Sequence, residues 1–151
     1  MKGKRGLIMG VANDKSIAWG IAREMAAQGA ELAFTYQGEA FGKRVQPLAA
    51  SIGSNILVDA DVTDDNSLDI AFTELKKKWG KLDFIVHAVA YSDKNELVGR
   101  FVDTTRANFK NSLDISCYSL IEVSRRASEL MPDGGTILTL TYQGSNRGTP
   151  F

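Results

Sequence analysis

The sequence predicts an α/β fold, a doubly wound parallel sheet of about five strands. Three observations predict it. Short apolar runs alternate with amphipathic ones from end to end, most of the amphipathic runs stop at a glycine, and no repeat, linker or low-complexity tract interrupts the order. Strand, helix, strand, helix in this sequence implies parallel strands joined by right-handed crossovers, with helices on both faces. The size agrees: 151 residues, 44% of them hydrophobic, suffice for one core and fall short of two, so residues 1–151 are expected to form one domain.

Each element follows from its own pattern. "RGLIMG" (5–10) is short, apolar and stopped by Gly10, as a buried parallel strand should be. Residues 16–29 place Ile17, Ile21 and Met25 on one face with Ala18 and Ala22 beside them, a helix ending at Gly29. "ELAFTY" (31–36) is a second strand, 39–52 a helix closed by Gly53, and "NILVDADV" (55–62) a third strand. Leu68, Ala71, Phe72 and Leu75 mark a helix over 66–79, and "LDFIVHAVA" (82–90), the longest apolar run, is the fourth strand. Phe109, Leu113, Ser116, Leu120, Val123, Ala127 and Leu130 recur every three or four residues, which predicts one long helix from about 104 to 131, before Pro132 and Gly134. "GTILTLTY" (135–142) is the fifth strand.

Composition narrows the function classes. Lys plus Arg and Asp plus Glu balance at 18 each, so nothing electrostatic calls for nucleic acid or an anionic membrane. Lys76 to Lys78 read as the solvated end of a helix. The N-terminus has too short an apolar stretch for a signal peptide or membrane span. A lone cysteine, Cys117, cannot form an internal disulfide, which points to a reducing, cytoplasmic compartment. It sits in a periodic apolar stretch far in sequence from the only histidine, His87, so packing is its expected role. No residue pattern calls for a metal.

In a Rossmann-like sheet the ligand lies at the C-terminal strand ends, near the switch point between strands 1 and 4. That rule selects Gly10 to Ile17, Tyr36 and Gln37, Asp61 and Val62, His87 to Tyr91, and Tyr142. Gly10 permits a sharp turn, and the helix beginning near Ser16 offers unpaired N–H groups and a positive dipole end to a phosphate. Ser16 either caps that helix or donates its hydroxyl to the anion. At the end of strand 2, where a nicotinamide cofactor is sorted by its adenosine ribose, Gln37 with Glu39 nearby suits a free hydroxyl and leans toward NADH; Lys43 and Arg44 keep NADPH open. Asp61 either accepts from an adenine amino group or is a turn residue before Thr63 and Asp64. Ala88 and Ala90 allow a ribose close to the backbone, and Tyr142 is expected to point its phenol into the same cleft.

The assembled stretches "GVANDKSIAWGIA", "LAFTYQ", "DADVTD", "DFIVHAVAYSDKNEL", "ISCYSL" and "LTLTYQGSNRGTP" resemble the bacterial enoyl-acyl carrier protein reductases, a divergent branch of the short-chain dehydrogenase/reductases. Ordinary members of that wider group carry T-G-x-x-x-G-x-G, N-N-A-G, an asparagine in the long helix and a serine closing strand 5. Here those positions hold Gly10 to Ala18, His87 to Ala90, Ser116 and Tyr142.

The resemblance implies hydride transfer from NADH to the β-carbon of a trans-2-enoyl thioester on acyl carrier protein, in fatty-acid biosynthesis. It implies that Gly10, Ser16 and Ile17 bind the pyrophosphate and ribose, Gln37 the adenosine ribose, Asp61 and Val62 the adenine, and Val89 the nicotinamide side. Ser92 falls where the family touches substrate, and Tyr142 matches the first of two catalytic tyrosines. The second tyrosine and a lysine would follow Phe151, so the expectation is an N-terminal part lacking them and the C-terminal strands, from a protein that is a homotetramer at full length. Two alternatives remain: an NAD(H)-binding piece without catalysis, and a carbonyl-reducing short-chain dehydrogenase.

Overall fold

A computed structural model describes residues 1–145 and 147. Five parallel strands, β1 (Arg5–Met9), β2 (Glu31–Tyr36), β3 (Ile56–Asp59), β4 (Phe84–His87) and β5 (Thr136–Thr139), lie in the order β3-β2-β1-β4-β5. The chain winds outward from β1 in one direction to β3, then returns to β1's other side for β4 and β5. The switch point is therefore between β1 and β4.

Helices α1 (Ile17–Ala27) and α2 (Gly38–Ser51) cover one face, while α3 (Asp65–Trp79) and α5 (Ser119–Glu129) cover the other. Alternation along β1 explains the split. Ile8 packs with Trp19, Phe34 and Val45 on the α1/α2 side; Leu7 and Met9 pack with Leu68, Leu75 and Val123 on the α3/α5 side. Because both faces are covered, β1 from Leu7 to Met9 is fully buried, each such side chain contributing about 1.5–3 kcal/mol.

Two expectations about the helices are corrected. In α1 the buried residues are Ala18, Trp19 and Ala22, whereas Ile17 is 67% exposed. Trp19 carries more apolar area than Ile17, and its ring meets Phe34 at 6.2 Å between centroids, so the helix is rotated to bury it.

The single long helix is also broken into α4 (Arg106–Leu113), a π-helical turn (Asp114–Tyr118) and α5. A π turn inserts a residue and displaces the apolar stripe. Phe109 and Leu113 are consequently exposed, and Cys117, expected to pack, is exposed as well. Beyond the turn, Val123, Ala127 and Leu130 do enter the core.

Two charged residues join them inside. Arg126 bonds Asp69 at 2.6 Å, Glu122 at 2.7 Å and Asp65 at 3.2 Å, tying α5 to α3. Burial alone would lower the Arg126 pKa, but these carboxylates raise it above its ordinary value.

The strands are shorter than the apolar runs. β3 ends at Asp59, after which the Ala60 N–H still reaches the Tyr36 carbonyl but the Asp61 N–H turns to the Ser67 hydroxyl. β4 ends at His87 and β5 at Thr139. Lys76 to Lys78 occupy the last turn of α3, where cations suit the helix dipole. Among the described residues no helix is long and apolar enough to cross a membrane.

Candidate functional site

A cleft of about 330 Å³ opens at the C-terminal ends of β1, β2, β3 and β4. Gly10, Val11 and Ala12 form its floor after β1; Tyr36, Gln37 and Phe41 wall it after β2; Ala60 to Thr63 close it after β3; Ala88 to Tyr91 and Ile115 complete the far side. A second hollow, lined by Met25, Asp83, Gly135 and Thr136, lies at the opposite end of the sheet. There the Asp83 carboxyl is held below its ordinary value by Lys4, whose ammonium bonds it at 2.8 Å, and by the Arg5 N–H.

The floor is built on Gly10. Its φ of +92° is unfavourable for any residue with a side chain, and an added Cβ would overlap the Ala88 carbonyl. The close approach of two backbones brings the loop after β1 over the end of β4. Ser16 then fixes the rest of that loop: its Oγ accepts from the Ala12 N–H at 3.0 Å and the Asn13 N–H at 3.1 Å.

This settles the local chemistry of Ser16. It stands at the N-cap of α1 but makes no side-chain cap bond; the Trp19 N–H turns back to the Ser16 carbonyl at 2.9 Å, so the Ile17 and Ala18 N–H groups keep their donor capacity. With both lone pairs engaged, the Ser16 hydroxyl proton also remains to donate. Ile17 is exposed at this helix end, while Ala18 behind it is buried. The residues fit an anionic diphosphate.

At the cleft's other end, the Gln37 amide donates to Asp61 Oδ2 at 2.7 Å. Asp61 Oδ1 accepts from the Thr63 N–H at 2.8 Å and the Thr63 hydroxyl at 2.7 Å. Burial pushes the Asp61 carboxyl up, but these three donors outweigh it and hold the group below 3.8. Asp61 is thus an anionic acceptor with one lone-pair position left on Oδ2, suited to an exocyclic amino group. Gln37, its N–H₂ turned to Asp61, offers its carbonyl oxygen to a hydroxyl donor.

The far side depends on the π turn. Ser116 Oγ accepts from the Tyr91 N–H at 3.0 Å and lies 3.3 Å from the Tyr91 carbonyl, clamping the loop after β4. Ser119 Oγ donates to the Ile115 carbonyl at 2.6 Å and therefore accepts from His87 Nε2–H at 2.8 Å. Desolvation pushes the buried His87 imidazole below its usual pKa of 6.5. His87 is accordingly a neutral tether between β4 and the π turn.

These elements match known proteins. A family model described as enoyl-(acyl carrier protein) reductase covers residues 10–151. The chain belongs to that family. The NADH-type enoyl-acyl carrier protein reductase 2 of Rhizobium meliloti is 63% identical over 150 residues, covering 99% of this chain and 56% of the relative. Among solved structures, the FabI of Candidatus Liberibacter asiaticus superposes with a TM-score of 0.96 at 54% identity, covering 99% of this chain and 58% of that one. The Anaplasma phagocytophilum enoyl reductase, solved in complex with NAD, gives 0.95 at 56% identity with the same coverages. The chain thus spans a little over half the length of the relatives it matches.

Of the residues the enoyl reductase pattern singles out, the fold brings Gly10, Gln37, Asp61, Val62 and Val89 into one cleft. Ser16 and Ile17 stand at the entrance, on the helix end. Ser92 lies off the cleft, with the Asn108 amide donating to its Oγ at 3.1 Å.

Tyr142 is a correction. Its ring does not line the cleft; it is 74% exposed and lies against Gly144, because β5 stops three residues earlier and the backbone enters a 3₁₀ turn at Gln143–Ser145. Sequence reasoning missed Thr35, Phe41, Ala60, Thr63 and Ile115 as cleft residues. Phe41 and Ile115 follow only from helix phase, whereas Thr63 was visible as the residue two after Asp61.

Proposed function

We propose that this chain forms the NADH-binding part of an enoyl-acyl carrier protein reductase. Such an enzyme is an oxidoreductase of fatty-acid biosynthesis, reducing the β-carbon of a trans-2-enoyl thioester carried on acyl carrier protein. The observation that carries the reading is the pairing of uncapped α1 donors at one end of the cleft with the Gln37–Asp61 acceptor pair at the other. A dinucleotide has its diphosphate and its adenosine at such ends.

When bound, the nicotinamide supplies the hydride. The chain's residues divide the remaining work. Gly10, Ser16 and Ile17 hold the diphosphate and neighbouring ribose, Gln37 takes the adenosine ribose, Asp61 and Val62 flank the adenine, and Val89 supports the nicotinamide side. Ser92 and Tyr142 belong to the substrate side, Tyr142 as the catalytic residue near the thioester, which its exposed phenol must turn toward the cleft to reach. We place the whole protein in the cytoplasm as a homotetramer.

Fluorescence titration with NADH and NADPH tests the assignment, with turnover of a crotonyl thioester assayed beside a ketone. NADH should bind more tightly. A clear NADPH preference overturns the role given to Gln37. Binding without thioester turnover identifies a nucleotide-binding piece, and ketone turnover moves the chain to the carbonyl reductases.

A further inference from the structure

We propose that Asp59, the last residue of β3, is a specificity-determining residue that excludes a 2′-phosphorylated cofactor. This rests on the reading of the cleft as a dinucleotide site. In this fold the end of β2 and the start of the next helix face the adenosine ribose, where a 2′-phosphate would need N–H donors and positive charge. Here two of those donors already hold internal carboxylates.

The Gly38 N–H, first in α2, donates to Asp59 Oδ1 at 2.9 Å. One N–H of the Gln37 amide, a second donor at this corner, is held by Asp61. Register explains why both carboxylates arrive together: Asp59 pairs with Tyr36 across the sheet, so Asp59 and Asp61 flank the turn from β2 into α2.

The basic residues that kept NADPH open are engaged elsewhere. Lys43 pairs with Glu39 at 2.7 Å, and the Arg44 guanidinium lies 5.7 Å from the centre of the Phe41 ring. A phosphate placed here would meet the carboxylates of Asp59 and Asp61, and two of its nearest donors already hold those internal acceptors. A hydroxyl has no such conflict, because it can donate to the Gln37 carbonyl or to a carboxylate. Asp59 therefore works by repulsion as well as by occupying a donor.

The test compares NADPH and NADH dissociation constants for the full chain and two variants. Asp59→Ala removes charge and acceptor and should lower the NADPH to NADH ratio by about tenfold. Asp59→Asn keeps an acceptor for Gly38 and should lower it less. On the unmodified chain, added salt should lower the same ratio, since screening weakens only the extra phosphate's repulsion.

An unchanged ratio in both variants, with NADH affinity retained, overturns the proposal. So does loss of both nucleotides by a folded Asp59→Asn chain, which would make Asp59 a structural prop. Failure of the unmodified chain to bind NADH overturns instead the reading of the cleft, and this inference falls with it.

Discussion

Substituting Gly10 by alanine probes the cleft floor most sharply. The backbone there has φ +92°, and the new methyl would overlap the Ala88 carbonyl. A side chain at such a φ costs about 1–2 kcal/mol. Relieving the overlap requires the ends of β1 and β4 to part, which would strain the Ala88 N–H to Met9 carbonyl bond, 3.3 Å long, worth about 1 kcal/mol.

Gly10→Ala should therefore lose about 3 kcal/mol, a fall in Tm of roughly 6 to 12 °C for a chain of this size. Lifting the loop also moves the α1 donors, so NADH affinity should drop by about tenfold, equivalent to one hydrogen bond to a charged group. Circular dichroism melts and a fluorescence titration read the two effects. A variant that melts with the unmodified chain and binds NADH equally well would refute the argument from backbone approach.

Further outcomes follow from the tether behind the cleft. Ser119→Ala strands the buried His87 Nε2–H and should cost about 1–3 kcal/mol in urea unfolding; an unchanged midpoint would mean the bond at 2.8 Å contributes nothing. His87 also sets a pH dependence. Its folded pKa lies below 6.5, so the unfolded chain takes up a proton first, and stability, constant above 6.5, should fall as pH drops toward the folded value. His87→Gln should remove that limb of the curve. At lower pH, Asp83→Asn should flatten a second loss: its carboxyl is depressed below 3.8 by Lys4 and the Arg5 N–H, so its contribution is present above 3.8 and disappears as pH falls through the folded value.

The central strands β1 and β4 were legible because runs such as Leu7 to Met9 and Ile85 to His87 are buried on both faces, which a parallel sheet between helices provides; β5, with a similar apolar run, is exposed along its length. Helix phase was less legible. Ile17 and Trp19 are two positions apart, and choosing the buried one required knowing that Phe34 waits opposite. The 104–131 run concealed its π turn because the apolar period continues across it; only packing showed that Phe109 and Leu113 had slipped to the surface. In the site, backbone-driven features such as Gly10 were visible in advance. Features made by tertiary pairing were not: Gln37 and Asp61 are twenty-four residues apart, and the Asp59 bond to Gly38 depends on strand register. Tyr142 was misdirected because the run to 142 was read as strand throughout, although the ladder ends at Thr139.

Amide NMR of the labelled chain during NADH addition tests the central claim most directly. Saturable shifts should concentrate at Gly10 to Ala18, with a second group at Gln37, Asp61 and Val62. Shifts confined to Met25, Gly135 and Thr136 at the sheet's opposite end, or none that saturate, would contradict a diphosphate seated on the amino end of α1.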